Sequence, residues 1–308
     1  MNNFDDCPLT INGLPFKDSR LLFSGEGTNA RVWCTRSASL KIPKLDNKHK
    51  TFAAVFRDVF FQKLMGNFNI DLTMGQWLHT YPVPVACDQK KRPVSIAESV
   101  WDVPSFVRHM VANVFKIHAR GIRHGDIHPH NICVSETDIG EFHHLVDFEN
   151  AALKRSALQH IKLPTICAPE VKAIDDITDQ SEVWSLGVTV ASVCLSRIIH
   201  LQSQEQCDAI VKTAYEKNQM LGDFLKDTLQ MDADDRQDIS FLMEKYAYKP
   251  RPVSQIRYHK NQNVYRQELI DALINGVFVD CVSFDESLVS QMIECACDAE
   301  RISKTFLT

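Results

Sequence analysis

Several polar residues in the middle of the chain have the types and spacing that phosphoryl transfer requires. The sequence HGDIHPHN occupies residues 124–131, after a helix-like run, and LVDFE occupies residues 145–149. A carboxylate such as Asp126 accepts the proton of an attacking hydroxyl, while the oxygens of Asn131 and Asp147 suit Mg²⁺ held on nucleotide phosphates. The spacing predicts transfer of a phosphoryl group from a nucleotide.

A second set of residues, near the start of the chain, is suited to holding those phosphates. The sequence GEGTNARV at 25–32 predicts a hairpin turn whose glycines, Gly25 and Gly27, let backbone N–H groups approach phosphate oxygens. Lys41 lies nine residues after Val32 in a predicted strand, so a short hairpin brings its amine back beneath the turn. Taken alone, the glycine turn is better explained as an ordinary hairpin without a ligand. Lys41, taken alone, is explained equally well as a surface lysine in a strand.

The elements that must position these residues change character along the chain. Apolar patterning predicts strands at 22–24, 30–35, 40–43 and 94–98 around one helix at 51–65. From Ser105 the pattern is helical, with apolar residues at helical spacing that end before a glycine C-cap, Gly121. Those apolar residues are Phe106, Met110, Val114 and Ile117. A second, strongly apolar helix is predicted at 181–196, and shorter helices fill 204–247. The pattern favours an α+β fold.

In this order, the segments resemble the eukaryotic-type protein kinase superfamily over about residues 21–246. Ala168-Pro169-Glu170 resembles the end of that family's activation segment, and the stretch EVWSLG at 182–187 resembles its central buried helix. Arg236 resembles the late arginine that pairs with the closing glutamate, Glu170.

The resemblance implies a bilobal protein kinase-like fold, with a small antiparallel-sheet lobe holding one helix and a larger, mainly helical lobe. The implied boundaries are 21–98 for the small lobe and 99–248 for the large lobe. Residues 1–20 form an N-terminal extension. Residues 249–308 form a basic strap and C-terminal helices that pack on the large lobe.

The resemblance also implies a role for each candidate site residue. Asp126 is the catalytic base, His128 orients the γ-phosphate, and Asn131 and Asp147 bind Mg²⁺. ATP is held by Gly25, Gly27, Val32, Lys41 and Glu98. The residues with structural roles are Asp58, His124, Glu170, Glu182 and Arg236.

The chain also departs from the family pattern. Gly125 stands where many protein kinases carry an arginine that receives a phosphorylated activation segment, so phosphorylation at Ser156 or Thr165 lacks its receiver. His128 replaces a lysine that contacts the transferred phosphate, and a neutral imidazole brings little charge. Glu149 replaces a glycine.

No helix glutamate is evident as the partner of Lys41; Asp58 is the first candidate and Gln62 the second. The family's threonine before Ala168 aligns near Leu163, and Thr165 is not an obvious substitute.

Three functions therefore compete. The leading one is an ATP- and Mg²⁺-dependent protein kinase, with serine or threonine preferred on the pattern at 129–131. The HGD form at 124–126 is similar to aminoglycoside- and choline-type small-molecule kinases. The altered Glu149 and the missing helix glutamate favour a pseudokinase that only binds partners.

Composition limits the partners and the cellular location expected for the protein. The formal net charge is -5, which argues against a bulk nucleic-acid binder, and the sequence has no apolar run long enough to span a membrane. The ten cysteines are scattered without a C-x-x-C pair, which predicts reduced thiols in the cytoplasm. The expected partner is a protein substrate; the sequence does not fix the oligomeric state, and it is compatible with delivery into another cell as an effector.

Overall fold

The computed structural model describes residues 9–11, 14–15, 22–34, 38–44, 54–55, 57–59, 61–62, 65, 71–77, 81–89, 92–94, 102–137, 140–154 and 160–247. Glu98, the basic strap and the C-terminal helices predicted at 249–308 lie outside these ranges. Within them, no helix combines the length and apolar character that crossing a membrane demands. The chain divides into two compact units, and the division falls between Lys91 and Arg92. The sequence placed it after Glu98.

The first unit is built on one antiparallel sheet of seven described strands in the order β2-β1-β6-β7-β5-β4-β3. The strands are β1 (Leu9–Ile11), β2 (Leu14–Pro15), β3 (Leu22–Glu26), β4 (Ala30–Cys34), β5 (Ala38–Pro43), β6 (Asp71–Trp77) and β7 (Tyr81–Gln89). Leu40 and Ile42 of β5 are buried, so alternation along the strand places Lys41 on the opposite face. Two of the strands, β1 and β2, come from the segment predicted as an N-terminal extension.

The helix predicted at 51–65 is present in this unit. Its described residues between 54 and 62 are helical and buried, and Val55 and Val59 are fully inaccessible to solvent. These two valines are four residues apart and therefore share one face. That face supplies the apolar contacts that hold the segment.

The second unit is mainly helical. Its helices are α1 (Val103–Ala119), α2 (Asp179–Cys194), α3 (Gln204–Lys217), α4 (Gln219–Thr228) and α5 (Ile239–Tyr246). Its strands are β8 (Arg92–Pro93), β9 (Ile122–Arg123), β10 (Ile132–Thr137), β11 (Gly140–Leu145) and β12 (Ala152–Leu153). β8 pairs with β10, which explains why Arg92 belongs to this unit.

Helix α1 follows its sequence pattern closely. Asp102 caps its N-terminus by accepting a hydrogen bond from the Ser105 amide at 3.0 Å. The four apolar residues predicted to share one face are all buried. The helix ends at Ala119, and Gly121 follows with a φ of 68°, the left-handed conformation that glycine adopts at little cost.

Helix α2 lies at the centre of the second unit. Every residue from Ser181 to Cys194 is buried, which confirms the prediction of a helix covered on most sides. A Cβ at Gly187 would lie 2.5 Å from the Thr228 hydroxyl, so this position lets α2 and α4 approach closely. The helix thereby forms a rigid base for the loops that carry the candidate site.

Short strands frame those loops. The 124–131 loop leaves β9 and enters β10, and the β10–β11 hairpin returns the chain to Asp147. β12 then pairs back with β9 in antiparallel register. The loop and the Asp147 segment are therefore held side by side.

Candidate active site

The 124–131 loop is fastened by a buried histidine. The His124 ring is fully buried, and its Nε2 lies 3.1 Å from the Val146 carbonyl oxygen. The Asp126 amide donates to Nδ1 of the same ring at 3.3 Å, so the consistent tautomer carries its proton on Nε2. His124 also packs against Phe148, with ring centroids 4.7 Å apart. It joins the loop to the segment on both sides of Asp147, the packing expected of it.

Asp126 is held by contacts to both carboxylate oxygens. The Thr165 amide donates to Oδ1 at 2.7 Å, and the Lys162 ammonium lies 2.9 Å from Oδ2. Burial by itself raises the pKa of the Asp126 carboxyl. The hydrogen bonds from Lys162 and Thr165 and the nearby charges of Lys162 and His128 outweigh it and leave the pKa below its ordinary value. Asp126 is therefore an ionised, oriented carboxylate at neutral pH.

The donor is the backbone of Thr165, not its hydroxyl. The sequence alone gave no substitute for the family's threonine, because a backbone contact leaves no mark in residue type. Leu163, which aligns near that position, is largely exposed. At Thr165 the contact with Asp126 is thus made by a main-chain group.

Asn131 and Asp147 are brought into the same neighbourhood by the β10–β11 hairpin. The Asn131 side-chain NH₂ donates to the Asp126 carbonyl oxygen at 2.9 Å, and the Val146 amide donates to the Asn131 carbonyl oxygen at 2.9 Å. With its nitrogen committed, the side-chain oxygen of Asn131 is left as the atom suited to a cation. Asp147 has a φ of 69°, an unusual backbone conformation for a residue other than glycine. A carboxylate and an amide oxygen form a donor set that fits Mg²⁺.

Helix α2 holds the loop from beneath with one face. This face carries three polar residues at helical spacing, Glu182, Ser185 and Thr189. Each of them contacts a different backbone group near the site. Glu182 accepts a hydrogen bond from the Gly125 amide at 2.5 Å, Ser185 donates to the Ile166 carbonyl at 2.7 Å, and Thr189 donates to the Ile127 carbonyl at 3.3 Å.

The longer side chain of Glu182, relative to the family's aspartate, makes a second contact. Its other oxygen lies 2.7 Å from Nε2 of buried His118. Burial alone raises the pKa of the Glu182 carboxyl, but the hydrogen bonds from His118 and the Gly125 amide outweigh it and hold the pKa below its usual range. Glu182 stays charged and anchors the loop.

A group of contacts around Asn150 was not predicted from the sequence. Asn150 is fully buried, and its side-chain NH₂ donates to the Gly125 carbonyl at 2.6 Å and the Lys162 carbonyl at 3.0 Å. Its side-chain oxygen accepts from the amides of Ile161 and Lys162 at 2.9 and 3.0 Å. We call this set, with His160 against the Asn150 carbonyl at 2.6 Å, the Asn150 clamp. These uncharged hydrogen bonds join the 124–131 loop, which we call the catalytic loop, to residues 160–162 of the activation segment.

The clamp explains the glycine at position 125. Gly125 has a φ of 76°, and a Cβ there would lie 2.5 Å from the Asn150 carbonyl oxygen and closer still to Nδ1 of His160. Any other residue would combine backbone strain with this clash. The space that a side chain at position 125 would need is taken by the His160 ring.

In the first unit, Lys41 forms an ion pair with a carboxylate. Its Nζ lies 3.0 Å from Oδ2 of Asp58, and the Gln62 amide donates to Oδ1 of Asp58 at 3.0 Å. Asp58 is almost fully buried. The expected ion pair is therefore present with the first candidate as partner, and the second candidate holds that partner in place.

The glycine turn stands next to this pair in the sheet. β3 and β4 form a hairpin in which Gly25 pairs with Val32, with an irregular register between Phe23 and Gly25. In β4 and β5, Val32 lies directly opposite Lys41, as the predicted hairpin requires. The Gly27 amide donates to the Ala30 carbonyl at 2.9 Å and closes the turn.

The activation segment ends in a bidentate ion pair. Arg236 places Nη1 2.6 Å from one oxygen of Glu170 and Nη2 2.8 Å from the other. Its side chain is completely buried and also donates to the carbonyls of Gln230, Gln180 and Met231. The predicted pair is present, and Arg236 is buried and not solvated.

Comparison with known proteins supports the resemblance to protein kinases that the sequence shows. A family model described as protein kinase domain matches residues 86–247, more than half of the chain. The match contains the catalytic loop, Asp147, the activation segment and Arg236. The glycine turn and Lys41 lie before it.

Three curated relatives show the range of similarity. The chain is 33% identical over 131 residues to a PAS domain-containing serine/threonine-protein kinase of Mus musculus, covering 41% of this chain and 9% of the relative. It is 33% identical over 92 residues to myosin light chain kinase 2, skeletal/cardiac muscle, of Oryctolagus cuniculus, covering 28% and 15%. It is 25% identical over 166 residues to the dual specificity protein kinase zak2 of Dictyostelium discoideum, covering 50% and 25%. The matched stretches span a quarter or less of these relatives' lengths.

Proposed function

The chain belongs to the protein kinase family, and we propose that it is an active ATP- and Mg²⁺-dependent enzyme that phosphorylates serine or threonine hydroxyls of a protein. The observation that carries the proposal is the oriented carboxylate of Asp126. The Asn131 side chain donates to the backbone carbonyl of Asp126 and leaves its own oxygen suited to a cation, and the β10–β11 hairpin leads from Asn131 to Asp147. Relatives named as serine/threonine and dual specificity kinases support a protein hydroxyl as acceptor.

In this mechanism the acceptor oxygen forms a bond to the γ-phosphorus while the bond from that phosphorus to the β–γ bridging oxygen breaks, releasing ADP. Asp126 orients the hydroxyl and takes its proton. Thr165 and Lys162 fix the direction of the carboxylate. Asn131 and Asp147 would hold Mg²⁺, which supplies charge stabilisation on the phosphate oxygens when bound. Lys41, fixed by Asp58, would hold the α- and β-phosphates.

The HGD sequence at 124–126 favours one alternative function, that of a small-molecule phosphotransferase. The activation segment argues for a protein acceptor, because Glu170 closes it on Arg236 and Ser185 holds it to α2. The discriminating experiment incubates purified protein with labelled ATP and Mg²⁺ and either generic protein substrates or small amino sugars and choline. Label on serine or threonine after hydrolysis of a protein supports the proposal. Label only on a small molecule selects the alternative, and no transfer at all selects a binding module.

We expect Lys41→Met and Asp147→Ala to reduce the rise in melting temperature that Mg-ATP produces. Stabilisation by a ligand follows the logarithm of its concentration over its dissociation constant, so a tenfold weaker affinity removes about 1.4 kcal/mol at saturating ligand. The measurement is a thermal shift series over ATP concentration at fixed Mg²⁺. Lys212→Met, on the exposed side of α3, is the matched control. An unchanged rise in both site variants would remove the proposed nucleotide site.

We expect activity without phosphorylation of the activation segment. The Asn150 clamp already orders residues 160–162, and Gly125 offers no charge to a phosphate. Protein treated with a broad phosphatase should keep its turnover within about twofold, and so should Thr165→Val, which retains the backbone donor. Phosphoprotein analysis by mass spectrometry checks the treatment. A loss greater than tenfold on dephosphorylation would contradict the expectation.

A further inference from the structure

The catalytic loop lacks a cation where the reaction needs one. His128 lies two residues after Asp126, with Nε2 3.7 Å from the Asp126 carboxylate. Burial lowers the pKa of His128, and this outweighs the opposing charge of Asp126, so the ring is neutral at pH 7. Resemblance to the family's serine/threonine members assigns this position to a lysine that contacts the transferred phosphate. Here the loop itself brings no such charge.

Lys162, from the activation segment, brings an ammonium group to the same carboxylate. Its Nζ lies 2.9 Å from Oδ2 of Asp126 and 3.4 Å from Oε1 of Glu149. Burial alone lowers the pKa of Lys162, but the hydrogen bond and charge of Asp126, with the charges of Glu149 and Asp147, raise it above its ordinary value. The raised pKa keeps the ammonium charged at pH 7, and the side chain is 40% exposed, which leaves part of it accessible to a ligand.

The backbone beneath this ammonium is fixed. Asn150 accepts a hydrogen bond from the Lys162 amide and donates one to its carbonyl, both at 3.0 Å. The same asparagine donates to the Gly125 carbonyl in the catalytic loop. Lys162 is thus positioned relative to Asp126 by one fully buried side chain. This arrangement meets the requirement that catalytic donors be held in place before the reaction.

The other described lysine of the activation segment is committed elsewhere. Lys154 pairs with Asp179 at the start of α2 and lies 3.4 Å from the His118 carbonyl. Between Asp147 and Glu170, Lys162 is the lysine among the described residues that contacts Asp126. The choice of residue therefore follows from geometry.

We propose that Lys162 is a catalytic residue that replaces the missing catalytic-loop lysine. One of its N–H groups stays on Asp126, and another donates to an oxygen of the transferred phosphoryl group, where negative charge develops. Lys162 keeps its proton throughout, since the acceptor proton goes to Asp126. The proposal rests on the kinase function proposed above.

The first test compares kinetics of the full chain with Lys162→Met and Lys162→Arg. Lys162→Met should lower kcat by about 10²- to 10³-fold, the range for losing one donor aimed at developing charge. KM for ATP should change less than about threefold, since the contact strengthens in the transition state. Lys162→Arg keeps the charge and should retain more activity. Lys172→Met, at an exposed lysine just after Glu170, should match wild type.

The second test moves the cation to the catalytic loop. His128→Lys introduced into Lys162→Met should recover at least tenfold in kcat, which a purely structural role for Lys162 would not produce. Melting temperatures are compared throughout, and Lys162→Gln replaces the methionine variant if that one is unstable.

Wild-type kcat in Lys162→Met, or no recovery in the double variant, overturns the proposal. A wild-type chain without any phosphoryl transfer overturns the proposed function instead, so the two failures are distinguishable.

Discussion

Replacing Asp126 by asparagine is expected to lower turnover by about 10²- to 10⁴-fold, the usual contribution of a positioned acid–base group. The amide keeps the size of the side chain but loses the charge that orients the acceptor hydroxyl and receives its proton. It also presents an NH₂ group to Lys162 or to the Thr165 amide, both of which are donors. Turnover with labelled ATP and a protein substrate measures the effect.

Nucleotide binding should survive this change, because the role proposed for Asp126 is to contact the acceptor hydroxyl and not the adenosine. The Mg-ATP-dependent rise in melting temperature should therefore stay close to that of wild type. Asp175→Asn, an exposed carboxylate in the turn before α2, is the matched control and should leave both readouts unchanged. Wild-type turnover in Asp126→Asn would mean that the catalytic loop is wrongly assigned.

Replacing Arg236 by alanine is expected to cost about 3–5 kcal/mol in unfolding free energy, the range for removing one partner of a buried ion pair. The guanidinium is completely buried, bonds Glu170 through two nitrogens and satisfies three carbonyls. It also lies over the Trp184 ring, 5.0 Å from its centroid. Without it, Glu170 loses its counter-charge and the three carbonyls lose a donor.

Urea denaturation of Arg236→Ala beside Arg197→Ala separates this effect from general loss of positive charge. Arg197 is exposed after α2, and its removal should change stability by less than about 0.5 kcal/mol. Arg236→Lys should recover only part of the loss, because an ammonium cannot make the bidentate contact. A loss below about 1 kcal/mol in Arg236→Ala would show that the pair is not desolvated in solution.

Much of this site could be predicted because its residues carry local signals. Helical spacing marks α1 through four apolar residues, and the strongly apolar stretch after Ser181 marks α2. The resemblance to protein kinases pairs Glu170 with Arg236 and Lys41 with Asp58, and their opposite charges support both pairs. In each case the residue type itself limits the possible partners.

The contacts that escaped prediction have no such signal. Asn150 binds mainly backbone groups, so its partners are invisible in residue types, and Lys162 lies in a segment without periodicity. One clue was present, because a neutral His128 beside Asp126 indicates that the loop lacks a cation. A search for basic residues between 147 and 170 would have returned Lys162 among few candidates.

Strand β7 was missed for a different reason. It contains Pro82 and Pro84, and proline normally argues against a strand in the middle of a sheet. In the described sheet β7 pairs with β5 only from Ala86 to Gln89, and the prolines lie earlier, where β6 is its paired neighbour. Proline lacks an N–H, and that loss is tolerated where one side of the strand makes no ladder bonds.

The left-handed glycine of the catalytic loop also constrains how this sequence can change in evolution. Exchanging Gly125 for arginine would not by itself create a receiver for a phosphate, because the first carbon of the new side chain already collides with the Asn150 carbonyl and the His160 ring. The imidazole would have to be lost first, and with it a contact that orders the segment. A chain with arginine at position 125 therefore needs at least two changes, and the loss of His160 removes a contact of the Asn150 clamp.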